Sequence, residues 1–207
     1  MALADPYATA PEYRARVTKT DTSEDATTLI DQLKGVSRWL DRELRRFFNI
    51  DAAVVTRTFD GNGATRLWLP RDIATTTGLI VKVDDDADWD YDYTLAIGTD
   101  FWVGPPDADK DPEPWPWQYL EVNPNGQIGQ WPDIVRSVQV TAKFGWPAVP
   151  QAIKELTVMV TRNWRDMLES GMAVTLQNLE TAAGFTPDAR LLWRDVQRTY
   201  ARPTRYA

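Results

Sequence analysis

A chain of 207 residues, 43% hydrophobic and 26% charged, has the composition of an ordinary globular protein and can bury one good-sized core, or one core and a subdomain. It contains no cysteine and no histidine, which removes disulfide frameworks, zinc fingers, thiol nucleophiles and every relay through imidazole, and leaves catalysis only carboxylates, Lys, Tyr or a hard metal ion. A net charge of −7 offers no basic footprint for duplex DNA and suits a surface past which nucleic acid must slide freely.

The opening MALADPYATAPEYRARV lacks a positive segment followed by an apolar one, so no secretory signal is expected. No run in the chain approaches the length of apolar residues that a membrane span needs, so no membrane partner is expected. Thr9-Ala10-Pro11-Glu12 fits a capping box with Pro in the first turn, predicting a short helix. Thr22 or Ser23 can cap a second helix whose first turn carries Glu24 and Asp25, where the dipole favours them. Ala26, Leu29, Ile30, Leu33, Val36, Leu40, Leu44 and Phe47 follow at spacings of three and four and predict a helix over 24–48, with Arg42, Arg45 and Arg46 near its end.

From 52 to 145 the pattern turns to β. Segments 53–59 and 65–69 flank Asp60-Gly61-Asn62-Gly63 and read as a hairpin, because Asp-Gly and Asn-Gly supply positive φ. Segments 78–83, 93–97, 101–103, 118–122 and 135–143 are further strands, with loops rich in Asp, Pro and Gly between them. About seven short strands predict a small sandwich or barrel-like sheet. A strand ending at Gly145-Trp146-Pro147 then gives way to a helix over 150–170, opened by Pro150, with a stripe of Ile153, Leu156, Val160, Trp164 and Met167 and a stop at Gly171. Thr186-Pro187-Asp188 starts a last helix, 187–201, carrying Leu192, Val196 and Tyr200 and ending before Pro203.

The predicted fold is α+β: an antiparallel helical bundle, residues 1–50 and 146–207, with a small all-β domain inserted at 51–145. Gly145, Trp146, Pro147 and Pro150 form the structural joint, since proline fixes φ and an indole can wedge between sheet and helix.

Five features invite a chemical reading. In DDDADWDYDY, residues 84–93, alternating Asp resemble the first ligands of a calcium loop, but Tyr91 and Ile97 stand where that loop needs Gly and Glu, so a solvated acidic connection is the stronger reading. Trp102, Trp115, Trp117, Tyr119 and Trp131 with their prolines could stack on sugars, but pack a sheet core more readily. Glu113 and Glu121 share this block without a spacing that selects a catalytic pair, and the Gly61-Asn62-Gly63 run lacks the Lys and following helix of a phosphate loop. From Arg190 onward five Arg stand against one Asp; they either suit the end of a helix or form a docking peptide for an acidic partner.

The stretch TAKFGWPAVPQAIKELTVMVTRNW resembles the joint of tailed-phage head-tail connector proteins, the adaptors beneath the portal. In that family a strand ends in a Gly-Trp-Pro-type turn and a Pro-initiated helix follows; residues 141–144, Gly145, Trp146, Pro147, Pro150, Ile153 and Lys154 match. DATTLIDQLKGVSRWLDRELRRFFNI is similar to the adaptor's first long helix, and the N-terminal string resembles adaptors of phages of actinobacteria. The long β segment departs from the small adaptors, which are mainly helical.

The resemblance implies a virion structural protein of the neck, assembled in host cytoplasm, with no enzymatic activity and no cofactor. It implies a homo-oligomeric ring, usually twelve-fold, between the portal protein and a stopper or tail-side neck protein, with DNA passing through the lumen unbound. Arg198, Arg202, Arg205 and Tyr206 are then the expected portal contacts. The rivals are another neck or tail-completion protein and a Trp-rich carbohydrate-binding module.

Overall fold

The computed structural model describes residues 5–17, 26–110, 113–169 and 186–202. They belong to two compact units, one drawn from Met1–Asn49 and Val149–Pro203, the other from Ile50–Ala148.

The first unit is helical: α1 (Ala10–Arg16), α2 (Ala26–Leu44), α3 (Gln151–Glu169) and α4 (Pro187–Tyr200). The capping box forms, with the Glu12 amide donating to Thr9 Oγ1 at 3.3 Å and the Thr9 amide to Glu12 Oε2 at 2.7 Å. Glu12 and Arg16 of α1 also pair with Lys154 and Glu155 of α3. Leu29, Leu33, Val36, Leu40 and Leu44 are fully buried, as their spacing requires, and Trp39 stacks on Trp193 of α4 at 5.1 Å. On α3, Thr157 and Thr161 lie in the core and stay satisfied by donating to the carbonyls of Ile153 and Thr157, each at 2.7 Å. The caps expected at Thr22 or Ser23 and the stops at Gly171 and Pro203 lie outside the described residues.

Helix α2 ends four residues before its expected limit. Arg45 takes a left-handed φ of 53° and the Arg46 amide reaches back to the Asp41 carbonyl at 3.2 Å, the pairing of a Schellman stop. The helical period is broken there, so Phe48, not Phe47, enters the core, edge-on to Tyr7 at 5.6 Å and Tyr200 at 6.1 Å. The Tyr7 hydroxyl donates to Asp41 and accepts the Phe48 amide at 2.9 Å; burial, followed by the Asp41 charge, pushes its pKa well above the ordinary tyrosine value.

The second unit is one sheet. Its strands are β1 (Val55–Phe59), β2 (Arg66–Val83), β3 (Tyr93–Leu95), β4 (Phe101–Gly104), β5 (Trp117–Val122) and β6 (Val138–Phe144), in the order β1-β6-β2-β5-β4 with β3 on β2. All of these pairings are antiparallel. Val138, Val140, Ala142 and Phe144 alternate inward along β6 and meet Leu67, Ile73, Val81, Leu120 and Trp131 in the core.

These observations overturn the expected fold class. The chain is not a helical bundle carrying a small inserted β domain; among the described residues its main feature is a mostly antiparallel six-stranded sheet, accompanied by four helices. The reason lies in β2. Pro70 and Gly78 read as strand breakers, yet the 18-residue strand passes through both by shifting register between Trp68 and Ile73 and again between Thr75 and Ile80. A bulge needs no ladder N–H from proline and accepts the positive φ of Gly78. One long strand thereby pairs β5 with its first part and β6 with its second, and gathers the short segments into a single sheet.

The hairpin expected around residues 60–63 is also absent. β1 pairs with β6, from Val55 opposite Ala142 to Phe59 opposite Val138. Gly61 is required for a different reason than a turn: its amide donates to the Ile134 carbonyl at 2.9 Å, and a Cβ there would lie 1.8 Å from the Pro132 carbonyl oxygen.

Asp100 fixes the segment between β3 and β4. Its buried carboxylate accepts the Ala96 amide at 2.7 Å, and the Gln127 amide and side chain at 3.0 Å each. The Ala96 bond first, and those from Gln127, hold its pKa below the ordinary aspartate value. A depressed carboxylate stabilises the fold above the unfolded-state value of about 4, and the contribution is lost as pH falls through the lower folded value. Asp100→Asn is therefore expected to cost about 1–3 kcal/mol at neutral pH by leaving a buried donor unpaired. It should also flatten the loss of stability on acidification, as read from urea unfolding between neutral pH and the acid limb. An unchanged acid limb would remove Asp100 from that role.

Candidate interaction site

The joint residues are placed as follows. Gly145, at the end of β6, has a φ of 114°, a conformation that favours glycine, and its amide donates to the Asp72 carbonyl at 2.8 Å. Trp146 is fully buried within the sheet unit, its ring 5.0 Å from Trp115 and its Nε1–H donating to Asp72 Oδ2 at 3.3 Å. Asp72 lies in the irregular part of β2 between Trp68 and Ile73, so the bulge that admits Pro70 also turns a buried carboxylate toward the end of β6. Pro150 precedes α3, and the Lys154 amide donates to its carbonyl at 3.1 Å, the first helical bond of that turn.

Of the expected portal contacts, Arg198 is exposed on α4 and Arg202 follows the helix, its amide bonded to the Leu44 carbonyl at 3.0 Å. Arg205 and Tyr206 lie outside the described residues. α4 begins on Thr186, whose Oγ1 accepts the Ala189 amide, and buries Ala189, Trp193, Val196 and Tyr200. Arg190, Leu191, Arg194 and Arg198 occupy its exposed face. Pro187, Arg190, Leu191 and Arg194 line an open hollow of about 320 Å³, a feature that helix periodicity alone did not suggest.

The acidic run joins β2 to β3 and caps itself. Asp84 is buried, and its carboxylate accepts the amides of Ala87 at 2.8 Å, Trp89 at 3.0 Å and Asp86 at 3.3 Å. Oxygens of Asp84, Asp86 and Asp88 lie within 4.8 Å of one another. The Asp88 amide lowers the Asp86 pKa, but desolvation and the charges of Asp88, Asp92 and Asp84 outweigh it and leave the value raised. The bonds inside the loop account for its shape as an acidic connection.

The tryptophan cluster does not form a platform. Trp131, Trp117 and Tyr119 are buried, Trp115 stacks on Trp146, and of these five rings Trp102 alone is largely exposed. Glu121 is committed to Arg66, at 3.0 and 3.2 Å, whose guanidinium also lies 4.3 Å above the Tyr119 ring.

No family model matches the chain, and no curated protein matches it. Solved structures do. A chain in the neck of an empty gene transfer agent (GTA) particle, computed with C6 symmetry, matches with a TM-score of 0.58 and 11% identity, over 100% of this chain and 97% of that one. A chain in the virion of a native gene transfer agent particle matches with a TM-score of 0.51 and 15% identity, over 98% and 96%. At these identities the likeness is one of fold, and it runs the full length of both chains.

Proposed function

We propose that this protein is a structural component of the neck of a tailed-phage-like particle, a head-to-tail adaptor whose copies form a ring beneath the portal. The observation that carries the reading is the end-to-end fold likeness to a neck chain. The connector-like strand–Gly-Trp-Pro–helix stretch of residues 141–164 supports it independently, because that resemblance lies in the residues themselves and not in the fold. In this role the ring continues the DNA channel toward a stopper or other tail-side neck protein, and an acidic chain lets DNA pass without gripping it. Gly145, Trp146, Pro147 and Pro150 serve as its joint, and Arg198, Arg202, Arg205 and Tyr206 contact the portal.

Sedimentation velocity of the chain mixed with the portal ring encoded in the same genome tests the docking. Full-length chain is expected to co-sediment at near-physiological salt. A chain lacking residues 202–207 should bind at least tenfold more weakly while remaining folded. Equal docking of the truncated chain would remove the tail from the interface, and no docking of the full chain would overturn the portal contact.

A further inference from the structure

Charge is unevenly divided along this chain. Residues 50–148 hold sixteen acidic and seven basic side chains, a net −9, while the whole chain stands at −7. The basic excess lies in residues 187–207, five Arg against Asp188 and Asp195, and on α4 Arg190, Arg194 and Arg198 recur every fourth residue and are exposed. Among the described residues none of the three is in an ion pair. Between them Leu191 is 65% exposed, beside the 320 Å³ hollow that it lines with Pro187, Arg190 and Arg194. Proline, leucine and the arginine stems make such a hollow apolar at its centre and positive at its rim.

The complementary shape is on the sheet unit. Trp89 is 65% exposed, and the left-handed backbone at Ala87 and Trp89, φ 67° and 72°, sets it at the tip of the acidic loop. Asp86, Asp88, Asp90 and Asp92 flank it, and Arg136 lies 5.4 Å from its ring on one side. An exposed tryptophan within an acidic loop, with one guanidinium on its ring, is complementary in charge to an apolar hollow bordered by Arg190 and Arg194. Buried aromatic anchors carry much of the energy of interfaces, and complementary charge around them sets specificity and the rate of encounter.

We propose that the Trp89 loop of one copy docks into the α4 hollow of a second copy. Trp89 fills the space over Pro187 and Leu191, and the loop carboxylates pair with Arg190 and Arg194. The two patches differ, so the contact is heterologous, each copy giving its loop to one neighbour and its helix to another, which is the arrangement that closes into a ring when the rotation permits. The inference deepens the ring-forming reading above and rests on it.

The absence of native cysteine makes the test direct. Chains carrying only Asp88→Cys and chains carrying only Asp188→Cys, an exposed position one turn from Leu191 that does not line the hollow, are mixed at high concentration and oxidised gently. Because each chain has one thiol, any disulfide must join two copies. The mixed dimer is expected to exceed both homodimers several-fold, and to disappear with added Arg190→Glu and Arg194→Glu or in high salt. Trp89→Ala in the Asp88→Cys chain should reduce it similarly. All these positions are exposed, and far-UV circular dichroism confirms that each variant folds.

A statistical mixture of disulfides, or a mixed dimer indifferent to the arginine changes, would overturn the proposal. So would duplex DNA binding that vanishes with the same arginines while no mixed dimer forms, which would assign the stripe to phosphate. The neck reading fails separately: a chain that cross-links as expected but ignores the portal ring keeps this interface and loses portal docking.

Discussion

Replacing Trp146 with alanine is expected to destabilise the sheet unit by about 3–5 kcal/mol, the cost of removing a large aromatic side chain from a closed core. Trp146 is 1% exposed, its ring faces Trp115, and its indole N–H meets the buried Asp72 carboxylate. Alanine would leave a cavity beside Trp115 and take one donor from Asp72, a group for which lost hydrogen bonds are costly. Trp146→Phe keeps most of the volume and loses the donor, so it should cost clearly less. Urea unfolding followed by circular dichroism measures both. An alanine variant within about 1 kcal/mol of wild type would mean the site collapses freely and the ring is not a core element.

The second large effect separates two adjacent phenylalanines. Phe48→Ala is expected to cost about 3–5 kcal/mol, because its ring is fully buried between Tyr7 and Tyr200. Phe47 is half-buried and lies under the Arg38 guanidinium at 5.1 Å, so Phe47→Ala should cost less than half as much. The ordering depends wholly on where α2 stops. Had the helix continued in phase, the stripe through Leu40 and Leu44 would have put Phe47 in the core. Thermal melts of the two variants under identical conditions decide it, and the reverse ordering would contradict the left-handed stop at Arg45.

The elements most legible from the residues were those governed by short-range rules. The capping box at Thr9, the buried stripe of α2 and the inward alternation of β6 each depend on spacings within a few turns or residues, and each forms. What escaped was non-local. Asp60-Gly61-Asn62-Gly63 has the chemistry of a hairpin turn, but β1 finds its partner in β6, some eighty residues on, and no turn residue encodes that choice. Pro70 and Gly78 break most strands, but here each is absorbed at a register shift, a solution that depends on neighbours on both sides of β2. Segments 65–69 and 78–83, expected as separate strands, are thereby parts of one, and the sheet they help to build is the main feature of the fold.

The candidate site was legible in part. The Gly-Trp-Pro motif pointed to Trp146, yet its hydrogen-bond partner Asp72 sits seventy-four residues away. The arginine excess at the C-terminal end was plain from composition, whereas the hollow beside Leu191 depends on which side chains α4 leaves uncovered.

The most direct measurement is an electron cryomicroscopy reconstruction of the neck of the particle whose genome encodes this chain, with the symmetry of the neck imposed only after it is found. The expected result is a ring of this fold between portal and tail, the six-stranded sheet and four helices of each copy visible around a DNA channel. A neck built entirely of other chains, with this one absent from the particle, would contradict the proposed role.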